Sequence, residues 1–280
     1  MEDRNKRNPP TDGAPMMIAT SSLLLGACGT LVVYPPAPPG SGGNGTRYYV
    51  SIGNTALSTY SSAAPSDAPA PQHGKTVTWT SFDTSAPVAL VVAPVHSRQW
   101  STCTVRPLSK GIVCSRVSPQ SNAAALTLAP GDQVSIEFDD AWSSHSLLVF
   151  ANPLEQQRLP LRSRAPNPHD VTFSAGLHDI GVDYRLHAGA TVTLEAGAWV
   201  RGSFASGGGG ADGVTIQGRG ILDGGLIPHP PKCSDALALI NLCGNDLAVT
   251  GITLINAPTY LIELNAFWQP GEFFPMTSYD

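Results

Sequence analysis

Val192-Thr-Leu-Glu-Ala-Gly-Ala-Trp-Val-Arg-Gly202 is followed, 22 residues later and without a gap, by Val214-Thr-Ile-Gln-Gly-Arg-Gly-Ile-Leu-Asp-Gly224. Val, Thr and the final Gly are identical, and the apolar positions match in kind. A repeat this short holds two or three strands and no helix, which is typical of the stacked coils of a parallel β-helix. A third unit, residues 236–240 and 247–255, follows a Pro-rich insertion at residues 225–235.

The offset of the repeat predicts which residues stack on neighbouring coils. It places Val192 beside Val214 and Leu194 beside Ile216 on the inner face. On the outer face it places Arg201 beside Asp223, which predicts a structural ion pair between coils. By the same offset Glu195 lies over Gln217 as an exposed polar pair.

Composition agrees with a chain built from strands. The 280 residues include 28 Gly and 25 Pro, and only 13% are charged. Gly and Pro both disrupt helices, so a helical bundle is excluded. The net charge is −5 and Lys and Arg do not cluster, so nothing favours a nucleic-acid partner.

The first half of the chain has a different pattern from the second. From residue 46 to residue 165, short runs of alternating apolar and polar residues stand between turn signals. This pattern predicts antiparallel strands that form a β-sandwich. We therefore predict an all-β protein with a β-sandwich at residues 46–165 and an incomplete parallel β-helix at residues 166–280.

Residues 1–45 have the pattern of a leader and a Pro/Gly linker. Met16–Val33 is mostly apolar, carries no charge and is short for a membrane span, as in a signal peptide. This predicts a secreted protein with no membrane span in the mature chain. Leu25–Cys28 also resembles a lipoprotein box, which would make Cys28 a lipid anchor at the cell surface. The linker, residues 34–45, offers no core-forming residues and ends at a glycosylation motif on Asn44.

Four of the five cysteines form two local pairs, and an oxidising compartment favours disulfides. We predict bridges between Cys103 and Cys114 and between Cys233 and Cys243, with four free thiols as the alternative. Neither Cys nor His has the spacing of a metal site, so we expect no metal and no cofactor.

A few other residues are candidates for substrate contact or catalysis, and most of them also have a structural interpretation. Glu263 is the candidate for substrate contact. Trp199 could stack on a sugar, but packing against the first domain is the favoured interpretation. Asp139 and Asp140 are expected in a turn, and His178 and His229 lack a nucleophile partner.

Several passages resemble glycoside hydrolase families 28 and 49, which include polygalacturonases, dextranases and isopullulanases. These passages are Val105–Ile112, Leu147–Pro153, Gly176–Gly181, Gly197–Gly202, Gly218–Gly224 and Gly251–Pro258. The resemblance implies a right-handed β-helix and a glycosidase that hydrolyses a polysaccharide with inversion, and we expect the secreted protein to be a monomer.

The same resemblance implies where catalysis would lie. Inverting members use Asp carboxylates on coils that follow the one matching Gly251–Pro258, so the catalytic residues are expected beyond Asp280. The chain resembles the front part of such an enzyme and is expected to be inactive alone. A polysaccharide lyase on the same fold and a non-catalytic carbohydrate-binding or adhesion protein remain the alternatives.

Overall fold

The structure is a computed structural model that describes residues 22–26, 29–63, 76–95, 99–139, 146–155, 167–206, 210–230 and 237–265. Within these ranges the chain is all-β, as predicted, and its single helical element is a 3-10 turn at Leu108–Lys110. No helix in the described ranges is long and apolar enough to cross a membrane.

Twelve strands form the first half of the chain. They are β1 (Ser22–Gly26), β2 (Gly29–Val33), β3 (Tyr48–Ile52), β4 (Thr55–Ala56), β5 (Thr59–Ala63), β6 (Thr76–Thr84), β7 (Val88–Pro94), β8 (Cys103–Arg106), β9 (Ser115–Arg116), β10 (Ala124–Leu128), β11 (Asp132–Phe138) and β12 (Leu147–Asn152). One sheet has the order β1-β2-β6-β12-β11-β8, with β5 also on β6, and the other has the order β4-β3-β7-β10-β9. Alternate residues of both sheets, including Phe82, Leu90 and Ile136, are buried in one shared core.

The first sheet includes residues that the sequence pattern assigns to the leader and linker. Strand β2 pairs with β6, with Leu31 opposite Thr84, and Leu31, Tyr34 and Ala37 are buried. The prediction of a linker without core-forming residues is therefore wrong. A run such as Thr30-Leu-Val-Val33 satisfies the apolar pattern of a signal peptide and of a β-strand equally well. Cys28 and residues 1–21 lie outside the described ranges, so secretion and lipid anchoring stay predictions.

The predicted bridge between Cys103 and Cys114 is confirmed, with a Cα–Cα distance of 5.9 Å. Cys103 begins β8 at the edge of one sheet, and Cys114 directly precedes β9 at the edge of the other. The bridge therefore ties the two sheets together at one side of the sandwich. In the chain-entropy model a loop of this length contributes about 2.5–3 kcal/mol.

The second predicted bridge is not formed. Cys243 is a free cysteine, and Cys233 lies outside the described ranges. Cys243 ends a strand whose neighbours on both sides are parallel strands of other coils. That strand carries Cys243 about 16 Å from its first residue, Ala238. A bridge between Cys233 and Cys243 would need the chain before this strand to fold back along it, as in a hairpin. The local spacing of two cysteines does not distinguish a hairpin from a coil of a parallel sheet.

Ten strands form the second half, and all of their pairings are parallel. They are β13 (Val171–Phe173), β14 (Gly176–Leu186), β15 (Thr191–Leu194), β16 (Ala198–Ser206), β17 (Thr215–Gly218), β18 (Ile221–Asp223), β19 (Ala238–Cys243), β20 (Ala248–Thr250), β21 (Thr253–Ile255) and β22 (Tyr260–Asn265). A four-stranded sheet has the order β13-β15-β17-β20. In the six-stranded sheet β14 pairs with β16, β18 and β19 lie along the other side of β16, and β21 and β22 follow them.

The pairings divide this half into four coils: residues 171–186, 191–206, 215–243 and 248–265. The sequence pattern predicts about three, because it joins residues 236–240 to residues 247–255. The structure instead assigns β19 to the third coil and β20 to the fourth. The insertion at residues 225–235 interrupts the third coil, so the two parts of that coil are hard to connect by pattern alone. The proposed domain division near residue 165 falls at residues 156–166, outside the described ranges.

The predicted stacking register holds for one strand of the repeat and fails for the other. Trp199 pairs with Ile221 and Arg201 with Asp223, as predicted. In the other sheet, however, Val192 pairs with Ile216 rather than Val214.

The difference comes from a shorter corner. Counted between paired positions, four residues separate Leu194 from Trp199, whereas two separate Gly218 from Ile221. A Cβ atom at Gly218 would lie 2.0 Å from the carbonyl oxygen of Leu194. The offset between paired residues therefore changes by two residues, which is the period at which side chains alternate along a strand. The same residues stay buried although their partners on the next coil differ. Gln217 consequently lies beside Thr193, not Glu195.

Candidate functional site

The six-stranded sheet has one covered half and one accessible half. On the covered half, Trp199 and Ile221 are buried against Ala37, Tyr60 and Trp79 of the first half of the chain. We call this contact the seam. Trp199 is only 2% exposed, so packing is the observed role and its ring presents no open face to a sugar.

A segment at residues 34–45, which we call the strap, crosses the seam. The hydroxyl of Tyr60 donates to the carbonyl oxygen of Pro35 at 2.5 Å, and Arg201 Nη2 donates to that of Gly40 at 2.5 Å. Gly43 lies directly on Trp199, because a Cβ atom at Gly43 would come within 1.9 Å of the indole ring. The Pro/Gly composition of the strap therefore permits close packing on the coils.

Asp223 lies under the seam, and its hydrogen bonds are made to groups other than Arg201. Its Oδ2 accepts from Trp199 Nε1 at 2.9 Å, and its Oδ1 accepts from Asn256 Nδ2 and from the amide of Gly225, both at 2.8 Å. Ser62 Oγ in turn donates to Asn256 Oδ1 at 2.5 Å. This network links three coils to β5 of the sandwich.

The predicted Arg201–Asp223 ion pair is therefore wrong, although the two residues are neighbours in register. Arg201 reaches the strap and lies 4.0 Å from Asp179, which is mostly exposed. The long Arg side chain extends past the seam to more exposed partners, whereas the short Asp side chain stays beneath the indole. Register alone fixes the backbone neighbours and not the direction of a flexible side chain.

A second buried cluster joins the strap, the sandwich and the coils. Arg219 Nε donates to Asp83 Oδ1 at 2.8 Å, and the Tyr34 hydroxyl donates to the same oxygen at 2.5 Å. Arg219 Nη2 donates to the carbonyl oxygen of Pro153 at 2.8 Å. Burial raises the pKa of Asp83 above its usual range, while the Tyr34 hydrogen bond and the Arg219 charge act in the opposite direction. Burial also raises the pKa of Tyr34.

The crevice at the seam is too small for a sugar. It borders the strap, Trp79, Trp199 and Arg219, and its free volume is about 10 Å³, room for about one water molecule. Arg219 Nη1 is buried there without a hydrogen-bond partner among the described residues. Nothing in the sequence near Arg219 marks this cluster, because Asp83 lies 136 residues away along the chain.

The other half of the six-stranded sheet carries accessible polar side chains. Arg185, Ala205, Asn241 and Glu263 are successive partners in register across the four coils. Arg185 and Asn241 are exposed and Glu263 is half-buried, whereas Ala205 is apolar and only 6% exposed. We call these four residues the open row. Glu263, the predicted substrate contact, therefore lies on the part of the sheet that a large ligand can reach, and it is the only carboxylate of the open row.

The remaining sequence-predicted residues lie elsewhere. Asn44 is exposed on the strap, so its glycosylation stays a prediction. Asp139 occupies the expected turn, where its Oδ1 accepts from the amides of Ser101 and Thr102, and Asp140 lies outside the described ranges. His178 contacts the carbonyl oxygen of Ser174 at 2.8 Å, and His229 is exposed. The described part of the chain contains no group of three or more His, Cys, Asp or Glu residues that could hold a metal ion.

Comparison with known proteins gives a structural match only. No family model matches the sequence, and no curated protein matches it. Among solved structures, the chain is similar to the dextranase Dex49A from Penicillium minioluteum, with a TM-score of 0.56 and 16% sequence identity. The match covers 88% of this chain and 61% of Dex49A, so the chain spans less than two thirds of that protein. At this identity the similarity concerns the fold alone.

Proposed function

We propose that this chain is built on the right-handed parallel β-helix of the glycoside hydrolases and that it binds a polysaccharide on the open row. The observation that carries the proposal is the division of the six-stranded sheet. The sandwich and the strap cover one half, and polar side chains occupy the accessible face of the other. The similarity of fold to Dex49A supports the choice of a polysaccharide.

The geometry of the coils suits an extended glycan. Neighbouring parallel strands lie about 4.8 Å apart, so the open row presents accessible polar side chains on three of its four coils along a line, with the buried Ala205 between Arg185 and Asn241. A polymer that follows the coil axis can contact several of these side chains in turn. A strip of this kind favours an extended ligand over a small molecule, which would use an enclosed pocket.

The number of carboxylates in the open row decides whether hydrolysis can be proposed for these coils. Inverting hydrolysis needs two carboxyl groups about 6.5–9.5 Å apart, and Glu263 is the single carboxylate of the row. We therefore propose a secreted protein of the glycosidase type in which residues 1–280 bind glycan and do not cleave it. Transcript sequence past the codon for Asp280 distinguishes this from a non-catalytic carbohydrate-binding protein, because further coils with paired Asp residues would favour the hydrolase.

Affinity electrophoresis with a reducing-end assay tests this proposal. We expect dextran, pullulan or polygalacturonate in the gel to retard the purified chain, because the open row is accessible to a polymer. We expect no release of reducing ends from any of the three, because the row lacks a second carboxylate. Unretarded migration with all three polymers would refute glycan binding. Turnover that is lost in Glu263→Gln would refute the absence of catalysis on these coils.

A further inference from the structure

Three side chains at the end of the open row lie close together on the same face. Asn241 is exposed although its neighbours Ile240 and Leu242 are fully buried, so its side chain points away from the core. Glu263 is its partner in register on the next coil. Asn265 lies two residues further along the same strand, and its Nδ2 donates to Glu263 Oε1 at 3.2 Å.

We propose that Asn241, Glu263 and Asn265 form a subsite for adjacent hydroxyl groups of an uncharged sugar ring, an inference that rests on the proposed function. A carboxylate has about four acceptor positions, and Asn265 occupies one of those on Glu263. Two neighbouring sugar hydroxyls can donate to the positions that remain. Each amide supplies both a donor and an acceptor, which matches the dual character of a hydroxyl group.

The charge of the subsite selects against a uronic acid. Glu263 takes part in none of the ion pairs formed among the described residues. A sugar carboxylate placed beside it would therefore meet an uncompensated like charge. The whole chain adds to this effect, because its net charge is −5.

Arg185 provides the only cation of the open row, and it lies two strand spacings from Asn241, about 10 Å. Its Nη1 donates to the carbonyl oxygen of Ser206 at 2.6 Å. A chain of uronic acids that used this surface would have to be held by Arg185 and not by Glu263. Substitution of Glu263 therefore tests binding of an uncharged sugar, and substitution of Arg185 tests binding of a uronic acid.

Affinity electrophoresis on dextran and on polygalacturonate gels tests the subsite. We expect Glu263→Gln and Asn241→Ala each to weaken dextran binding about tenfold or more, the usual effect of losing hydrogen bonds to a charged or well-placed group. Gln217→Ala is the matched control, because it removes a half-buried amide from the outer face of the other sheet. It should leave binding unchanged, and circular dichroism should show all variants folded.

The outcomes separate the subsite from the proposed function. Dextran binding that is unaffected by Glu263→Gln and by Asn241→Ala would overturn the subsite and leave glycan binding intact. Polygalacturonate binding by the unaltered chain that is at least as strong as its dextran binding, and that falls in Arg185→Gln, would overturn the assignment to an uncharged sugar. If the unaltered chain binds neither polymer, nor pullulan, the proposed function itself fails and the subsite with it.

Discussion

Replacement of Arg219 by Met is expected to lower the free energy of unfolding by about 3 kcal/mol at neutral pH, because it leaves Asp83 buried without its cation. Asp83 keeps the hydrogen bond from Tyr34, and Met fills most of the space of the Arg side chain. Urea unfolding followed by tryptophan fluorescence measures the loss, since Trp199 and Trp79 both lie at the seam.

The same variant should show a distinct pH dependence. Burial already raises the pKa of Asp83 above its usual value of 3.8, and removal of Arg219 raises it further. A group with a raised folded pKa stabilises the protein fully below its unfolded pKa, and this contribution is lost as the pH rises through the folded pKa. The deficit of Arg219→Met should therefore be largest at neutral pH and shrink as the pH falls toward 3.8.

The double variant Asp83→Asn with Arg219→Met is the control. It buries no charge, so we expect it to recover more than half of the lost stability and to remove the pH dependence of the deficit. Equal losses in the single and double variants at every pH would show that the ion pair does not stabilise the seam.

Replacement of Trp199 by Ala is expected to cost about 4 kcal/mol, the usual loss for a large buried aromatic side chain. The change would leave a cavity beneath Gly43 and would remove the hydrogen bond to Asp223 Oδ2. Trp199→Phe is the matched variant, since it keeps one aromatic ring in the seam and loses the indole N–H together with the second ring. We expect it to cost about 1–2 kcal/mol, measured by chemical unfolding followed by circular dichroism.

A double-mutant cycle isolates the Trp199–Asp223 hydrogen bond. In an Asp223→Asn background the replacement of Trp199 by Phe should cost less, because the carboxylate acceptor is already gone. An identical cost in both backgrounds would mean that this hydrogen bond contributes nothing to the stability of the seam.

The sequence predicts the features that repeat or lie close along the chain. The gapless repeat predicts parallel stacking and the correct partners for Trp199 and Arg201. It fails for Val192, because the corner that follows Gly218 is two residues shorter than the corner that follows Leu194, which changes the offset in the other sheet. The Cys103–Cys114 bridge is predictable for the same reason, since its two cysteines lie only 11 residues apart along the chain.

Contacts that join distant segments leave no such signal. Arg219 and Asp83 meet only because the coils dock on the sandwich, and neither residue has an unusual local pattern. The apolar run that ends at Val33 satisfies two structural patterns at once, and only its pairing with β6 reveals a strand. Glu263 could be named from its strand, but its relation to Asn241 depends on the assignment of β19 to the third coil, which the insertion at residues 225–235 interrupts.

A crystal structure of this chain soaked with a linear, uncharged gluco-oligosaccharide tests the central claim most directly. The claim is that a polysaccharide is bound on the accessible half of the six-stranded sheet. We predict sugar density along the open row, with hydroxyl groups within hydrogen-bond distance of Glu263 and Asn241. Sugar bound instead on the outer face of the four-stranded sheet or in the seam crevice, with the open row empty, would contradict the account.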